Sequence, residues 1–124
     1  MKTSLDPRHK KRQETVKALF AESFIAQTNQ DTTAKEVLAN LEGIDAKIKE
    51  IAPEFPIDKI NKVDLAILRL GAYELMIDGS QPEKVVIDEA IELAKEFGND
   101  SSAPFINGAL GKLVKVRKND TTNV

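Results

Sequence analysis

Residues 63–77 read Val-Asp-Leu-Ala-Ile-Leu-Arg-Leu-Gly-Ala-Tyr-Glu-Leu-Met-Ile, and this stretch decides the fold. Only Asp64, Arg69 and Glu74 are charged in it, so apolar side chains occupy nearly every face of the helix that it predicts. A helix of this kind is stable in water only when other elements surround it. The stretch therefore predicts a central helix, from about residue 57 to residue 77.

The first helix is predicted from a start signal and from the spacing of apolar residues. Asp6 can cap free backbone amides, and Pro7 fits the first turn, where no hydrogen-bonded N–H is required. Apolar residues from Val16 to Phe24 follow at helical spacing. We expect a helix from about residue 7 to residue 27, with its second half docked on a core and its first half projecting.

Two short helices are predicted between the first helix and the central one. Residues 33–36 have a capping-box pattern, which predicts a second helix that ends at Gly43. Apolar residues at helical spacing then predict a third helix, capped by Asp45 and stopped by Pro53.

Two longer helices are predicted after the central one. Residues 83–97 predict a helix with Gly98 as its C-cap, and Ser102 is the predicted cap of the last helix. Gly108 and Gly111 lie three residues apart, so they share a face that another backbone can approach closely. No region alternates with the period of a strand, so we expect an all-α fold.

Charge is strongly segregated along the chain. Residues 1–17 carry six Lys or Arg against two Asp or Glu, and residues 112–124 carry four against one. The residues between them have a net charge of −9, although the whole chain has a formal charge of only −2. Clustered cations attract a polyanion, which favours nucleic acid as a partner, but a solvated flexible terminus has the same composition.

The basic cluster near the N-terminus consists of Arg8, His9, Lys10, Lys11 and Arg12. Cations in the first turns of a helix oppose its dipole, at about 0.3 to 1 kcal/mol each when exposed. A bound polyanion would relieve this repulsion, so the cluster indicates an outward-facing RNA-binding collar. His9 is either a further RNA contact or a bystander, and we expect it to be exposed and neutral among the cations.

The sequence offers no support for catalysis, for a metal or for a cofactor. There is no Cys and one His, and the carboxylates of residues 88–96 lack the Glu-x-x-His pattern of metal sites in helical bundles. The longest apolar run, residues 65–68, is too short for a membrane span, and no export signal follows Arg12. We therefore expect a soluble, cytoplasmic, non-catalytic protein.

Three stretches together resemble the bacterial NusB family of transcription antitermination factors. Its arginine-rich first helix is similar to residues 8–20, Arg-His-Lys-Lys-Arg-Gln-Glu-Thr-Val-Lys-Ala-Leu-Phe. Its central helix is similar to residues 63–75, Val-Asp-Leu-Ala-Ile-Leu-Arg-Leu-Gly-Ala-Tyr-Glu-Leu. Its most diagnostic block is similar to residues 82–98, which include Asp-Glu-Ala-Ile-Glu-Leu-Ala-Lys-Glu-Phe-Gly, followed by Phe-Ile-Asn-Gly-Ala-Leu at residues 105–110.

The resemblance implies a compact bundle of about six or seven helices in two small subdomains. The single domain would comprise an N-terminal helical layer, residues 6–55, and a C-terminal layer, residues 57–118, before a disordered tail, residues 119–124. The implied function is binding of boxA-type single-stranded RNA with the ribosomal small-subunit protein NusE. This complex would join other Nus factors on RNA polymerase, mainly during ribosomal RNA transcription.

The resemblance also implies roles for individual residues. The RNA contacts implied by position are Arg8, Lys10, Lys11 and Arg12, with Lys17 and Phe20 at the edge and His9 kept as a candidate. The residues implied to face the protein partner, or the RNA that it shares, are Asp64, Phe105, Leu110 and Gly111.

The chain departs from the family pattern at three places. The segment between Phe24 and Ile60 is shorter than is usual in the family, by about one helix. Gly111 stands where Asp is common, which removes a polar contact. Lys10 and Lys11 stand where Arg is common, so point charges replace planar, bidentate guanidinium groups.

Two functions from other classes compete with RNA binding. One is a protein-only helical adaptor that docks a basic partner through its acidic face. The other is an enzyme, which would need a pocket with a perturbed carboxylate pair. The same helical module also occurs in ribosomal RNA cytosine methyltransferases, but 124 residues leave no room for their catalytic domain, which favours the antitermination factor.

Overall fold

The computed structural model describes residues 6–26 and 31–122, and the side chains of these residues up to Lys118. In this part of the chain there are six α-helices, a 3-10 turn, a π-helical segment and no strand. The α-helices are α1 (Pro7–Glu22), α2 (Thr32–Ala39), α3 (Leu41–Ile51), α4 (Lys62–Tyr73), α5 (Glu83–Phe97) and α6 (Ser102–Thr122). No helix in the described residues is both long and apolar enough to cross a membrane.

The predicted central helix is confirmed as α4, which packs against all five other α-helices. It begins later than predicted, because residues 57–59 form the 3-10 turn and Asn61 caps α4 through an Oδ1 contact of 2.8 Å with the amide of Val63. A π-helical segment, Glu74–Asp78, continues α4 and ends at Gly79, whose φ of 65° is in the left-handed region. α4 contacts helices from both the N-terminal and the C-terminal part of the chain, so these contacts do not separate two layers. The division of the domain into two layers stays a prediction.

The start of α1 is confirmed and its predicted end is wrong. Asp6 caps the helix by accepting a hydrogen bond from the amide of Arg8 at 2.9 Å. The helix ends at Glu22 instead of residue 27, and the hydroxyl of Ser23 donates a hydrogen bond to the carbonyl of Phe20. α1 runs antiparallel to α4, since Arg12 pairs with a residue beyond the end of α4 and Phe24 lies near its start.

The predicted boundaries of α2 and α3 are wrong, although both helices exist. The cap of α2 is Asp31 instead of a residue in the 33–36 box, and its carboxylate accepts from the amide of Ala34 at 2.8 Å and from the hydroxyl of Thr15 at 2.9 Å. Gly43 lies inside α3. Asp45 is not a cap, because it forms a bidentate ion pair with Arg69 of α4. The end of α3 just before Pro53 is confirmed.

The last two helices follow the prediction more closely. α5 spans the predicted residues 83–97 and has Gly98 as its C-cap. Ser102 is the first residue of α6 instead of its cap, and its hydroxyl accepts from the amide of Asn99 at 3.0 Å. α6 continues through residue 122, residues 123 and 124 lie outside the described residues, and the disordered tail stays a prediction.

Leu110 of α6 belongs to the core, where it fills the space left by a glycine of α4. Its side chain is fully buried, and a Cβ atom placed on Gly71 would lie only 2.8 Å from Leu110 Cδ1. The prediction that Leu110 faces a protein partner is therefore wrong. Gly108 and Gly111 meet no described atom within 4 Å of an added Cβ, so no described part of this chain makes the expected close approach.

Leu110→Ala is expected to lower the free energy of unfolding by about 2 to 5 kcal/mol, since it removes core contacts and leaves a cavity beside Gly71. Val85→Ala on the exposed side of α5 is the matched control, with an expected change below about 0.5 kcal/mol. Urea unfolding followed by circular dichroism measures both. Equal stability of the two variants would place Leu110 outside the core.

Candidate nucleic-acid interface

The basic cluster on α1 divides into an inward and an outward set. His9 and Arg12 are 3% and 9% exposed, whereas Arg8, Lys10 and Lys11 are exposed. The prediction that the first half of α1 projects and that His9 and Arg12 face outward is wrong. Residues 9 and 12 lie on the same face of the helix as Val16 and Leu19, so the core face continues into the cluster.

Arg12 crosses to the end of the central helix and binds two buried carboxylates. Its Nε and Nη2 atoms donate to the two carboxylate oxygens of Glu74 at 2.9 and 2.7 Å, and Nη1 donates to Glu89 Oε1 at 3.3 Å. The hydrogen bonds to Glu74 raise the pKa of Arg12 above its ordinary value, against the opposing effect of burial. Arg12 therefore stays charged, and its cost at the helix N-terminus is offset by these carboxylates.

His9 bridges two glutamates on α5. Its Nδ1 atom lies 2.9 Å from Glu89 Oε1, and its Nε2 atom lies 2.9 Å from Glu96 Oε1. Burial by itself lowers the pKa of His9, but the hydrogen bonds and charges of the two glutamates outweigh it and raise the pKa above the ordinary 6.5. The expected exposed, neutral bystander is thus wrong. His9 is a buried structural partner of α5.

Stability is expected to decrease as the pH rises above neutrality. A raised pKa in the folded state means that folding favours the protonated form, so this stabilisation is complete below about pH 6.5 and is lost as the pH passes the folded pKa. Urea unfolding between about pH 6 and pH 9 measures the effect. His9→Gln should flatten the profile in this range, and an unchanged slope in that variant would assign the dependence to another group.

Arg12→Ala is expected to lower the free energy of unfolding by about 3 to 5 kcal/mol, because Glu74 would stay buried without its cation and Glu89 would keep only His9. Arg8→Ala removes the same charge from an exposed position one turn earlier, with an expected change below about 0.5 kcal/mol. Thermal unfolding of both variants at one pH tests this difference. A similar loss in both would mean that Arg12 contributes only as a surface charge.

Two of the outward cations, Arg8 and Lys11, line an open cavity next to the α4–α5 connection, together with the buried Arg12. The cavity has a volume of about 320 Å³, and Arg8, Lys11 and Thr15 line one side of it, with Tyr73 and Gln81 opposite. Burial, with smaller effects of nearby carboxylates, raises the pKa of Tyr73, so its phenol keeps its proton at neutral pH. A second cavity of about 200 Å³ also includes Arg8 and Gln81. The site thus combines exposed cations, an aromatic ring and an amide with the carboxylates of Glu74 and Asp78.

Lys17 and Phe20 lie further along α1 and do not line this cavity. The side chain of Lys17 is exposed and 3.7 Å from Glu14, and Phe20 packs edge-on against Phe24 at 5.0 Å between ring centroids. About 9 Å of helix separates Lys11 from Lys17. Both residues stay candidate edge contacts, and nothing in their geometry ties them to the cavity.

The residues predicted to face a protein partner are only partly accessible. Asp64 is 6% exposed, and its Oδ1 atom is buried without a hydrogen bond in the described residues, so it offers no open surface. Phe105 is half-buried and packs edge-on against the exposed Phe55, with ring centroids 5.3 Å apart. Gly111 is half-exposed with open space around its α-carbon. Phe105 and Gly111 stay candidates, together with Phe55, which the sequence reading had missed.

Sequence reading also missed the carboxylates that hold α1 in place. Glu89 and Glu96 lie seven residues apart and therefore on one face of α5, but from the sequence these carboxylates were considered only as metal ligands. Glu74 lies among apolar residues in the central helix, and a lone charge in such a helix is a signal for a buried ion pair. The described residues contain no cluster of His, Cys, Asp and Glu that could hold a metal.

The NusB family model matches residues 6–115 of the chain. The chain belongs to the NusB family. The NusB proteins of Clostridium botulinum (strain Loch Maree / Type A3) and Acetivibrio thermocellus are 48% and 47% identical to it over 80 and 83 residues. These alignments cover 64% and 67% of this chain but only 57% of each relative, so the chain spans less than two thirds of the length of these NusB proteins.

Solved structures confirm the all-α NusB fold. The structure of T. maritima NusB superposes with a TM-score of 0.81 at 30% identity, and the match covers 93% of both chains. A structure of NusB and NusE in complex with double-stranded RNA superposes with a TM-score of 0.76 at 21% identity, and the match covers 89% of this chain and 98% of the other. At that identity the second comparison shows the fold alone.

Proposed function

We propose that this NusB-family chain is a transcription antitermination factor that binds boxA-type single-stranded RNA together with NusE. The observation that carries the proposal is the exposed cationic face of α1, formed by Arg8, Lys10 and Lys11, beside an open cavity. Family membership over residues 6–115 supports it. So does the fold, which is shared with a NusB that was solved in complex with NusE and RNA.

RNA would be held through its phosphates by the outward cations and through unpaired bases by the cavity. Lys and Arg neutralise phosphates without reading sequence, whereas sequence-specific recognition of RNA uses unstacked bases. Tyr73 offers a ring for stacking, and the Gln81 amide can donate to and accept from a base edge. The cavity volume of about 320 Å³ suits one nucleotide better than a duplex.

His9 and Arg12 have a different role in this proposal from the one expected of them. Their side chains bind Glu74, Glu89 and Glu96, so both residues hold the exposed cations of α1 in place, and Arg12 also lines the cavity. Lys17 and Phe20 extend the same helix toward its C-terminal end and would contact a longer RNA only at the edge of the face.

NusE would pack on the side of the bundle where Phe55 and Phe105 meet. Phe55 is 45% exposed, and its edge-on contact with Phe105 leaves an aromatic surface open. Gly108 and Gly111 on α6 present backbone without side chains, which permits a close approach by a partner chain. The bound partner would complete the RNA surface and lower the entropic cost of holding the RNA.

The proposed role is non-catalytic and places the protein with RNA polymerase and the other Nus factors in the cytoplasm. RNA contacts on α1 and protein contacts on α6 would let one small domain link a transcript to that assembly. A protein-only adaptor that uses the acidic middle of the chain is less well supported. Glu74 and Glu89 are buried in contacts with α1 and are not available to a basic partner.

Changing Arg8, Lys10 and Lys11 together to Ala is expected to abolish most RNA affinity at low salt. Three phosphate contacts should contribute about −2 to the slope of log affinity against log salt, since each contact to a single strand contributes about −0.7. Fluorescence anisotropy with a boxA-type oligoribonucleotide, at several salt concentrations, measures both quantities.

The control is a variant with Lys49, Lys59 and Lys95 changed to Ala. These three exposed cations lie outside α1, on α3, the 3-10 turn and α5, and their loss changes the net charge by the same amount. The control should keep at least most of the salt slope. If both variants lose the slope equally, the RNA is held by the overall charge and not by the face on α1.

A further inference from the structure

The position of the His9 ring favours its charged form. Both ring nitrogens lie 2.9 Å from carboxylate oxygens, one from Glu89 and the other from Glu96. A neutral imidazole has one N–H and one lone pair, so one nitrogen would face a carboxylate with no proton between them. Only the imidazolium donates to both glutamates. Docking of α1 in this geometry is therefore coupled to a proton.

The groups around the ring explain why a proton is needed. α5 contributes the carboxylates of Glu89 and Glu96, and the π-helical segment contributes Glu74, which is paired with Arg12 of α1. At the start of α1, Asp6 lies 3.7 Å from Arg8 and faces the same end of the helix. With His9 neutral, Arg12 would be the buried cation against several carboxylates. Protonated His9 reduces this excess of negative charge.

The same contacts fix the direction of the first two turns of α1. This helix packs mainly on α4, and the ring of His9 ties it also to α5, at two points that lie seven residues apart on that helix. Arg8, Lys10 and Lys11 are exposed on the same turns: Arg8 and Lys10 flank His9 at about 100° on either side, and Lys11 lies nearly opposite it. Any movement of the ring away from α5 therefore moves the cationic face.

We propose that His9 and Glu96 are positioning residues for RNA, which seat the first turns of α1 on α5 so that RNA affinity falls when His9 loses its proton. This inference rests on the proposed function and extends it to regulation by pH. The raised pKa of His9 agrees with the geometry: burial opposes the charged form, and the hydrogen bonds to the two glutamates outweigh it.

The first test measures RNA affinity between about pH 6 and pH 8.5, where Lys and Arg stay charged and His9 is the only histidine in the chain. For the full chain, the Kd for a boxA-type oligoribonucleotide is expected to rise by about threefold to tenfold, as the binding-competent fraction falls. The N-terminal amine also titrates in this range, and His9→Gln retains it, so this variant is the control for that group. It should bind weakly at every pH, with little pH dependence. The same pH dependence in both proteins overturns the proposal.

The second test separates positioning from simple charge. Glu96→Gln and Glu92→Gln remove the same charge from one face of α5, but Glu92 makes no hydrogen bond to α1 among the described residues. Charge alone predicts tighter RNA binding for both variants. Positioning predicts that Glu96→Gln binds about threefold more weakly while Glu92→Gln does not. Tighter binding by Glu96→Gln would instead make Glu96 a competitor of RNA for the cations, and overturns the proposal.

Amide hydrogen exchange distinguishes failure of this inference from failure of the proposed function. Corrected for intrinsic exchange, the amides of Lys10 to Gln13 should lose protection as the pH rises in the full chain and should lack that dependence in His9→Gln. This pattern together with no RNA binding at any pH would overturn the role in RNA binding but leave the proton-coupled seating of α1. If neither RNA binding nor the exchange of these amides depends on pH, the inference is overturned and the proposed function is left intact.

Discussion

A buried network of charged side chains determines how the first helix sits on the rest of the molecule. Arg12 joins α1 to the end of the central helix through Glu74, and His9 joins it to α5 through Glu89 and Glu96. Ions in such surroundings are stable only when each has a partner in good geometry. The network therefore stabilises the observed placement of α1, and the direction of the exposed cations on that helix follows from this placement.

In this arrangement the basic cluster on α1 has two roles, one for its exposed cations and one for its buried cations. Arg8, Lys10 and Lys11 remain in water, where a polyanion can reach them, while His9 and Arg12 are buried against carboxylates. A flexible basic arm would also attract RNA, but it would lose conformational entropy when it bound. A cationic face that is held in place before binding avoids part of that loss, and it keeps the cations in register with the cavity beside Tyr73 and Gln81.

Glu74 and Glu89 contribute both to the fold and to the proposed function. Glu74 ends the apolar central helix at the π-helical segment, where irregular helical geometry is frequent at functional sites. Glu89 is shared by His9 and Arg12, so the two cations depend on one another. The acidic middle of the chain is therefore not only a solvated surface. Some of its carboxylates complement the basic N-terminal segment within the same molecule, which explains how strong charge segregation is compatible with one compact bundle.

Local sequence signals were sufficient to predict an all-α fold, the central helix and α5. The apolar stretch around residues 63–77, the Asp6 cap and the length of α5 follow from periodicity and from capping chemistry, which act within a few residues. The direction of His9 and Arg12 depends on glutamates more than 60 positions away in the chain, and no local pattern reports such a partner. The family resemblance implied that Leu110 faces a partner, but the side chain is buried against Gly71 of α4. Only tertiary structure decided which cations face water, because burial of a charge depends on partners that the fold brings together.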